Sequence, residues 1–250
     1  MLRQGAAFSP LDLSPVLWLD ASDASTITES GGAVSQWDDK SGNDNHMLQA
    51  NASFRPSLSE SIGSLSAIAF DGVNDEMTGS SVAFGASIVD ASALFAIKTL
   101  SVTTTGTLIS LTGSSSPNRW QTHFPWSNGI AYFDVGTSSG SDRISSASGL
   151  SANDELICSF TAESTTGLQE IRINGSQLIA DNSATTVTPA LPVAIGGFGG
   201  DYQYVAVGEC VVIDGTITVS DRQKLEGYLA WKWGLEGNLP SGHPYELAAP

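Results

Sequence analysis

Residues 119–136 read RWQTHFPWSNGIAYFDVG. Two runs flank a Pro- and Gly-bearing stretch at 125–129, and each alternates with the period of two that a strand imposes. In RWQTHF (119–124), Trp120, Thr122 and Phe124 share one face, and Arg119, Gln121 and His123 share the other. In IAYFDV (130–135), Ala131, Phe133 and Val135 fall on one side, with Ile130, Tyr132 and Asp134 opposite. Paired as a hairpin, the runs put Trp120 and Phe124 into a core. The second face carries Arg119, Gln121, His123, Tyr132 and Asp134, and Trp126 beside the turn is the aromatic expected to be exposed. Such a face suits sugar binding, because hydroxyls take both donors and acceptors and an aromatic ring covers a sugar's C–H face. The alternative is a solvated sheet face with an Arg–Asp pair, since a sandwich commonly leaves one face wet.

Outward from this hairpin the same kind of segment recurs. VLWLDA (16–21), SAIAFDG (66–72), SALFAIKTL (92–100), GTLISLT (106–112), ELICSFTA (155–162), QEIRING (169–175), SQLIA (176–180), VAIGGF (193–198) and YVAVGECVVID (204–214) all read as short strands between Ser, Thr, Gly and Asn. Asn174-Gly175 is a strong two-residue hairpin signal, because both residues accept the positive φ of a type I′ turn. Asn128-Gly129 and Asp214-Gly215 are weaker versions. The Ser/Thr/Gly tracts at 112–116, 137–141 and 181–188 read as surface loops. A helix is predicted over 220–234: Ser220 and Gln223 form a capping box, Asp221 suits the first turn, Leu225, Tyr228, Leu229 and Trp233 recur at helical spacing, and Gly234 ends it. The expectation is one domain over 1–250, all-β, with an N-terminal arm at 1–15, this helix packed on a sandwich edge, and a tail at 235–250 docked through His243–Tyr245. Trp231 and Trp233 are expected to pack rather than form a platform.

Bulk composition narrows the function. Hydrophobic residues make up 41% of the 250, enough for a sizeable core. Only 10 Lys and Arg stand against 26 Asp and Glu, a formal net charge of -16. A chain this acidic repels phosphate backbones and anionic lipid, so nucleic acid is a poor partner. No stretch approaches the roughly 20 apolar residues of a membrane span, so no membrane insertion is expected. The start, MLRQGAAFSPLDLSP, lacks the apolar core of a signal peptide. Cys158 and Cys210 each sit in an apolar run and read as buried free thiols, with a single disulfide as the alternative. Asn51-Ala-Ser53 and Asn174-Gly-Ser176 match a glycosylation pattern that carries little weight without a secretion signal.

The order of pieces carries a resemblance. FSPLDLSPVLWLDASDASTI is followed by VSQWDDKSGNDNHMLQANASFRPSL, then AIAFDGVNDEM, then HFPWSNGIAYFDVG with Arg143 just after, and at the end YLAWKWGLEGNLPSGHPY. Over nearly the whole chain this resembles the laminin-G-like, concanavalin A-like jelly-roll family found in bacteriophage tail and virion proteins. The resemblance implies two antiparallel sheets in a curved sandwich and a non-catalytic recognition or assembly role, often towards glycans. It also implies a virion-surface location, with synthesis in the bacterial cytoplasm and release by lysis.

No cofactor is expected and no metal is assigned. FDGVND holds Asp71, Asn74 and Asp75 close together, and these oxygens suit Ca²⁺, but the spacing is not that of a calcium loop and an Asx-stabilised turn is the plainer reading. WDDKSGNDN (37–45) reads as a plain loop. The Glu-x-Asp-x-x-Glu strand of jelly-roll glucanases is absent, the acidic runs at 74–76 and 153–155 do not align two carboxylates, and there is no GxSxG. The expected function is a non-catalytic virion protein displaying a glycan-binding jelly roll, its site built from Arg119, Gln121, His123, Trp126, Tyr132 and Asp134. Its partners would be host surface polysaccharide and other virion proteins, with weak contacts multiplied by several copies per particle. A ligand-free capsid or tail decoration protein is the alternative, and a glycan-cleaving enzyme a third.

Overall fold

The structure is a computed structural model that describes residues 7–79, 90–111, 117–185, 187 and 193–250. The opening hairpin forms as its alternation dictates. Arg119–His123 pairs antiparallel with Ile130–Gly136, setting Gln121 opposite Asp134 and His123 opposite Tyr132. From it a front sheet extends both ways. On one side lies Arg143–Ala147; on the other come Ile109–Ser110, Ala194–Ile195, Met77–Gly79, Met47–Leu48, Ala33–Trp37 and Ile27–Ser30.

The back sheet runs Ser57–Ile62, Leu65–Asp71, Tyr204–Asp214, Asp90–Thr99, Glu155–Glu163, Leu168–Ile173, Ser176–Asn182. Leu17–Asp20 pairs with the far half of Tyr204–Asp214, on the edge that Leu65–Asp71 leaves free. Ala33 opposite Ser57 links the two sheets. Between them lies the main core, with Leu19, Trp37, Phe70, Phe95, Trp120, Phe124, Phe133 and Phe160 buried. Phe160 meets Phe95, Phe124 and Phe133 edge-to-face at 6.3, 5.3 and 5.8 Å, the arrangement ring quadrupoles favour. The chain is therefore an all-β antiparallel sandwich with one C-terminal helix.

The helix, Val219–Trp233, does not sit on a sandwich edge as its sequence suggested. It covers the outer face of the back sheet and creates a second core, in which Leu225, Leu229, Ala230 and Trp233 meet Trp18, Leu94, Ala96, Ile157 and Val211. The middle strands of that sheet are thus buried on both faces, which is why they read as continuous apolar runs. The cap is also shifted. Thr218, not Ser220, is the N-cap: its hydroxyl accepts from Asp221 N–H at 3.1 Å and donates to the Asp221 carboxylate at 2.8 Å. Gly234 closes the helix in the left-handed conformation.

A buried carboxylate ties helix to sheet. Glu209 accepts four hydrogen bonds, from Trp18 Nε1, Trp233 Nε1 and Lys232 Nζ, each at 2.7 Å, and from the Tyr228 hydroxyl at 3.0 Å. It follows Gly208, where the strand slips register. A Cβ at Gly208 would lie 2.7 Å from the Trp233 ring, so the helix seats only because that residue has no side chain. Lys232 also reaches Asp20 at 2.8 Å, which Lys40 holds from the other side at 2.8 Å.

Asn174 and Gly175 take φ of 49° and 75°, the two positive values of the expected tight turn. Asp214-Gly215 is not a hairpin but the exit from Tyr204–Asp214 towards the helix. The VAIGGF segment splits into Ala194–Ile195 and Gly197–Phe198 at Gly196, where a Cβ would collide with Phe70 at 1.9 Å. Cys158 and Cys210 are both free and buried, each paired across to Phe95 from opposite sides. That places them two strand spacings apart, about 10 Å, beyond disulfide reach. His243 is buried against Glu226 at 3.2 Å, and Trp231 donates to the Tyr245 carbonyl at 2.8 Å. Residues 1–6 of the N-terminal arm, and 112–116, 186 and 188 of the expected loops, lie outside the described residues.

Candidate functional site

The polar face of the hairpin forms, but much of it is not wet. Gln121 and His123 are 2% exposed and Asp134 0%. The cause is the segment at 106–107 laid over the face. Gln121 Nε2 donates to Thr107 Oγ1 at 2.6 Å, and His123 Nδ1 lies 2.8 Å from the Gly106 carbonyl. These three residues cannot touch a glycan in this arrangement, and the expectation of an outward polar face is corrected for them. Arg119, Trp126 and Tyr132 are half-buried and reach the surface.

Asp134 organises what remains exposed. Arg143, brought opposite it by strand register, grips it through Nη2 at 2.7 Å and also through Nε. Arg119 Nη1 adds a contact at 3.1 Å, and His123 Nε2 stands 3.8 Å away. Burial works to raise the Asp134 carboxyl, but the hydrogen bonds and charge of Arg143, with His123, outweigh it and hold the group below its ordinary value. The Arg143 guanidinium in turn is held up by that carboxylate. Two arginines against one aspartate leave a charge of +1 among those three residues, on a protein of charge -16.

The aromatics are fixed by this polar frame. Arg143 lies over the Tyr132 ring at 4.6 Å, and His123 meets Trp126 edge-on at 4.6 Å. Asn128 Nδ2 donates to the Tyr132 hydroxyl at 2.9 Å, and its Oδ1 accepts from Ile130 N–H at 3.1 Å. The surviving site is a rim of Trp126, Asn128, Tyr132, Arg119 and Arg143. Since Arg143 occupies a face of Tyr132, the ring surface left for stacking belongs to Trp126. Arg143 and Asn128 are absent from the set that strand alternation selects. Arg143 lies on the next strand, which alternation within the hairpin does not reach; its place just after the hairpin in the motif order is the sign that marks it.

The acidic loops hold no metal arrangement. Asp71 Oδ1 accepts from the backbone N–H groups of Val73, Asn74 and Asp75, and Asp75 Oδ2 from that of Asp71, the Asx-turn alternative. Asp39 likewise accepts from Trp18, Ser41 and Asn45 N–H groups. Among the described residues, no group of three or more His, Cys, Asp and Glu is placed to hold an ion.

No family model matches the sequence, and no curated protein matches it. Solved structures do match in fold. The binding domain of botulinum neurotoxin serotype D superposes with a TM-score of 0.61 at 14% identity, over 87% of this chain and 52% of that one. Trypanosoma rangeli sialidase superposes with 0.60 at 12%, over 86% and 32%. Botulinum neurotoxin type C, whose cell entry depends on interaction with two ganglioside molecules, superposes with 0.53 at 12%, over 88% and 53%. The chain has the all-β sandwich fold of these structures. The chain spans about half the length of the toxin structures and about a third of the sialidase, and at these identities the likeness is one of fold.

Proposed function

We propose that this jelly roll is a non-catalytic glycan-recognition domain on the surface of a phage or phage-like particle, directed at host surface polysaccharide. The observation that carries the reading is the rim on the 119–147 strands. It sets a half-buried indole, a phenol and two guanidiniums in fixed positions around one buried carboxylate. Such a rim meets the needs of a sugar: an apolar ring for the C–H face, and preorganised charge-assisted donors for hydroxyls or an acidic substituent. The named glycan partner of the type C toxin supports the same use of the fold. The particle setting is carried by the resemblance of the motif order to the jelly rolls of virion proteins. A single rim of this size gives weak affinity, and several copies on a particle supply the rest by avidity.

The test is binding of purified protein to a panel of bacterial surface polysaccharides, with Trp126→Ala and Arg143→Lys beside wild type. Both variants are expected to bind at least about tenfold more weakly while melting within a few degrees of wild type. Wild type that binds no polysaccharide, or variants that bind equally, would overturn the site. Absence of the chain from purified particles by mass spectrometry would overturn the setting.

A further inference from the structure

The side of the molecule that carries the helix holds a groove unrelated to the rim. It has a volume of about 430 Å³ and lies between the first turn of the helix and the outer face of Glu155–Glu163 and Leu168–Ile173. Strand alternation puts Thr161, Glu163, Leu168, Glu170 and Arg172 on that outer face, with Thr161 directly opposite Glu170. Thr216, Ile217, Val219 and Arg222 form the opposite wall.

Three of the charged residues here are buried: Glu163, Glu170 and Arg222. Burying charge is costly unless it is paired, and each has a partner. Arg172 Nη1 donates to Glu170 at 2.7 Å, Thr166 Oγ1 to Glu163 at 3.1 Å, and Arg222 Nη1 to Glu226 at 2.6 Å. Arg172 is locked further by its bonds to the Gly175 carbonyl at 3.2 and 2.6 Å. A carboxylate offers about four acceptor sites and a guanidinium five N–H donors. Glu163, Glu170 and Arg222 each keep further acceptor or donor capacity beyond these bonds, while Arg172 has three N–H groups engaged. The groove therefore offers fixed acceptors and fixed donors side by side, two carboxylates and two guanidiniums in its lining with Glu226 bridging the guanidiniums behind, next to the apolar surface of Leu168, Ile217 and Val219.

We propose that this groove is a second carbohydrate site, for a neutral oligosaccharide. A hydroxyl that gives its hydrogen to Glu170 or Glu163 and takes one from Arg222 or Arg172 uses both halves of the lining at once. The C–H faces of the sugar rings cover the aliphatic wall. An anion would meet two carboxylates, a cation two guanidiniums, and a hydrocarbon would strand both. The volume lies in the range of small-molecule sites. The site does not rest on the rim and can fail without it.

The experiment titrates ¹⁵N-labelled protein with unbranched neutral trisaccharides of glucose, galactose and N-acetylglucosamine, read by amide chemical shifts. Four proteins are compared: wild type, Val219→Trp, Glu170→Gln and Tyr132→Ala. Val219 is exposed at the mouth of the groove, so a tryptophan there fills it without disturbing a core. At least one trisaccharide is expected to bind wild type with a dissociation constant of about 1 mM and to shift Thr161, Leu168, Glu170 and Val219. Val219→Trp should weaken it about tenfold or more, Glu170→Gln about fivefold, and Tyr132→Ala not at all. Unchanged affinity in Val219→Trp overturns the proposal even if Glu170→Gln proves unstable. So does the absence of binding by any trisaccharide at about 10 mM. Binding lost only in Tyr132→Ala overturns the groove while supporting the rim.

Discussion

Asp75 carries a carboxyl that burial, joined by the charge of Asp71, pushes up to about 6. Its unfolded counterpart titrates near 3.9. Folding thus favours the protonated form. The cost of the carboxylate is absent below about pH 4, grows between pH 4 and 6, and persists above 6. Asp75→Asn keeps an oxygen for Asp71 N–H and removes the charge. Thermal melts of this variant should show a gain of roughly 1–2 kcal/mol at pH 7.5 and none near pH 3.5. A loss at pH 7.5 would show that the ionised form is required. Asp134 has the opposite sign. With its pKa lowered, its contribution is full above the ordinary carboxylate value and is lost as pH falls through the folded one. At this scale the alternation in 119–124 and 130–135 put Trp120, Phe124, Ala131, Phe133 and Val135 in the core, where they lie. It could not show that Gly106 and Thr107 lie over Gln121 and His123, because a period of two says which side a residue takes and nothing about what covers that side.

Glu209 joins two elements, and its substitution tests that joint. Glu209→Gln puts an amide NH₂ among four donors, two of them indole N–H groups. At least one buried donor then loses its acceptor, and the Lys232 ammonium loses a counter-charge. A loss of about 3–5 kcal/mol in urea unfolding is expected, with an unchanged m-value. A loss below about 1 kcal/mol would mean the hydrophobic contacts of Trp18 and Trp233 hold the helix unaided. The helix was legible from its apolar stripe, and its cap was misplaced by two residues because Thr218 and Ser220 are chemically equivalent in sequence. Ser57–Ile62, Ile27–Ser30 and Arg143–Ala147 escaped notice because SLSESI, ITES and RISSA are mostly polar and only one residue is buried in each of the first and last and none in the second. The middle strands of the back sheet, Asp90–Thr99, Glu155–Glu163 and Tyr204–Asp214, were obvious for the opposite reason. Their unbroken apolar runs announced burial, but not that one of the two covers is the helix.

For the whole molecule, a formal charge of -16 means self-repulsion. Raising NaCl from about 20 to about 200 mM shortens the Debye length from roughly 20 Å to below 10 Å and should raise the melting temperature by a few degrees. A flat or falling response would place the excess acid in local pairs rather than a diffuse field. The sandwich class was readable, because strand spacing and turn residues agree along most of the chain. Its sheet order was not, since pairing between distant strands leaves no local mark. Leu17–Asp20 is the extreme case: Leu17 pairs with Val212, and Trp18 bonds to Glu209 across 191 positions. The ribosome therefore releases LWLD long before its partner exists. At about 5–20 residues per second the strand waits roughly 10–40 s, exposed or held by a chaperone. Chains stalled before residue 209 should be cut by protease near Trp18, while chains extended past the tunnel should resist. If stalled chains already resist, the nascent strand has found a temporary partner, and maturation must then include an exchange.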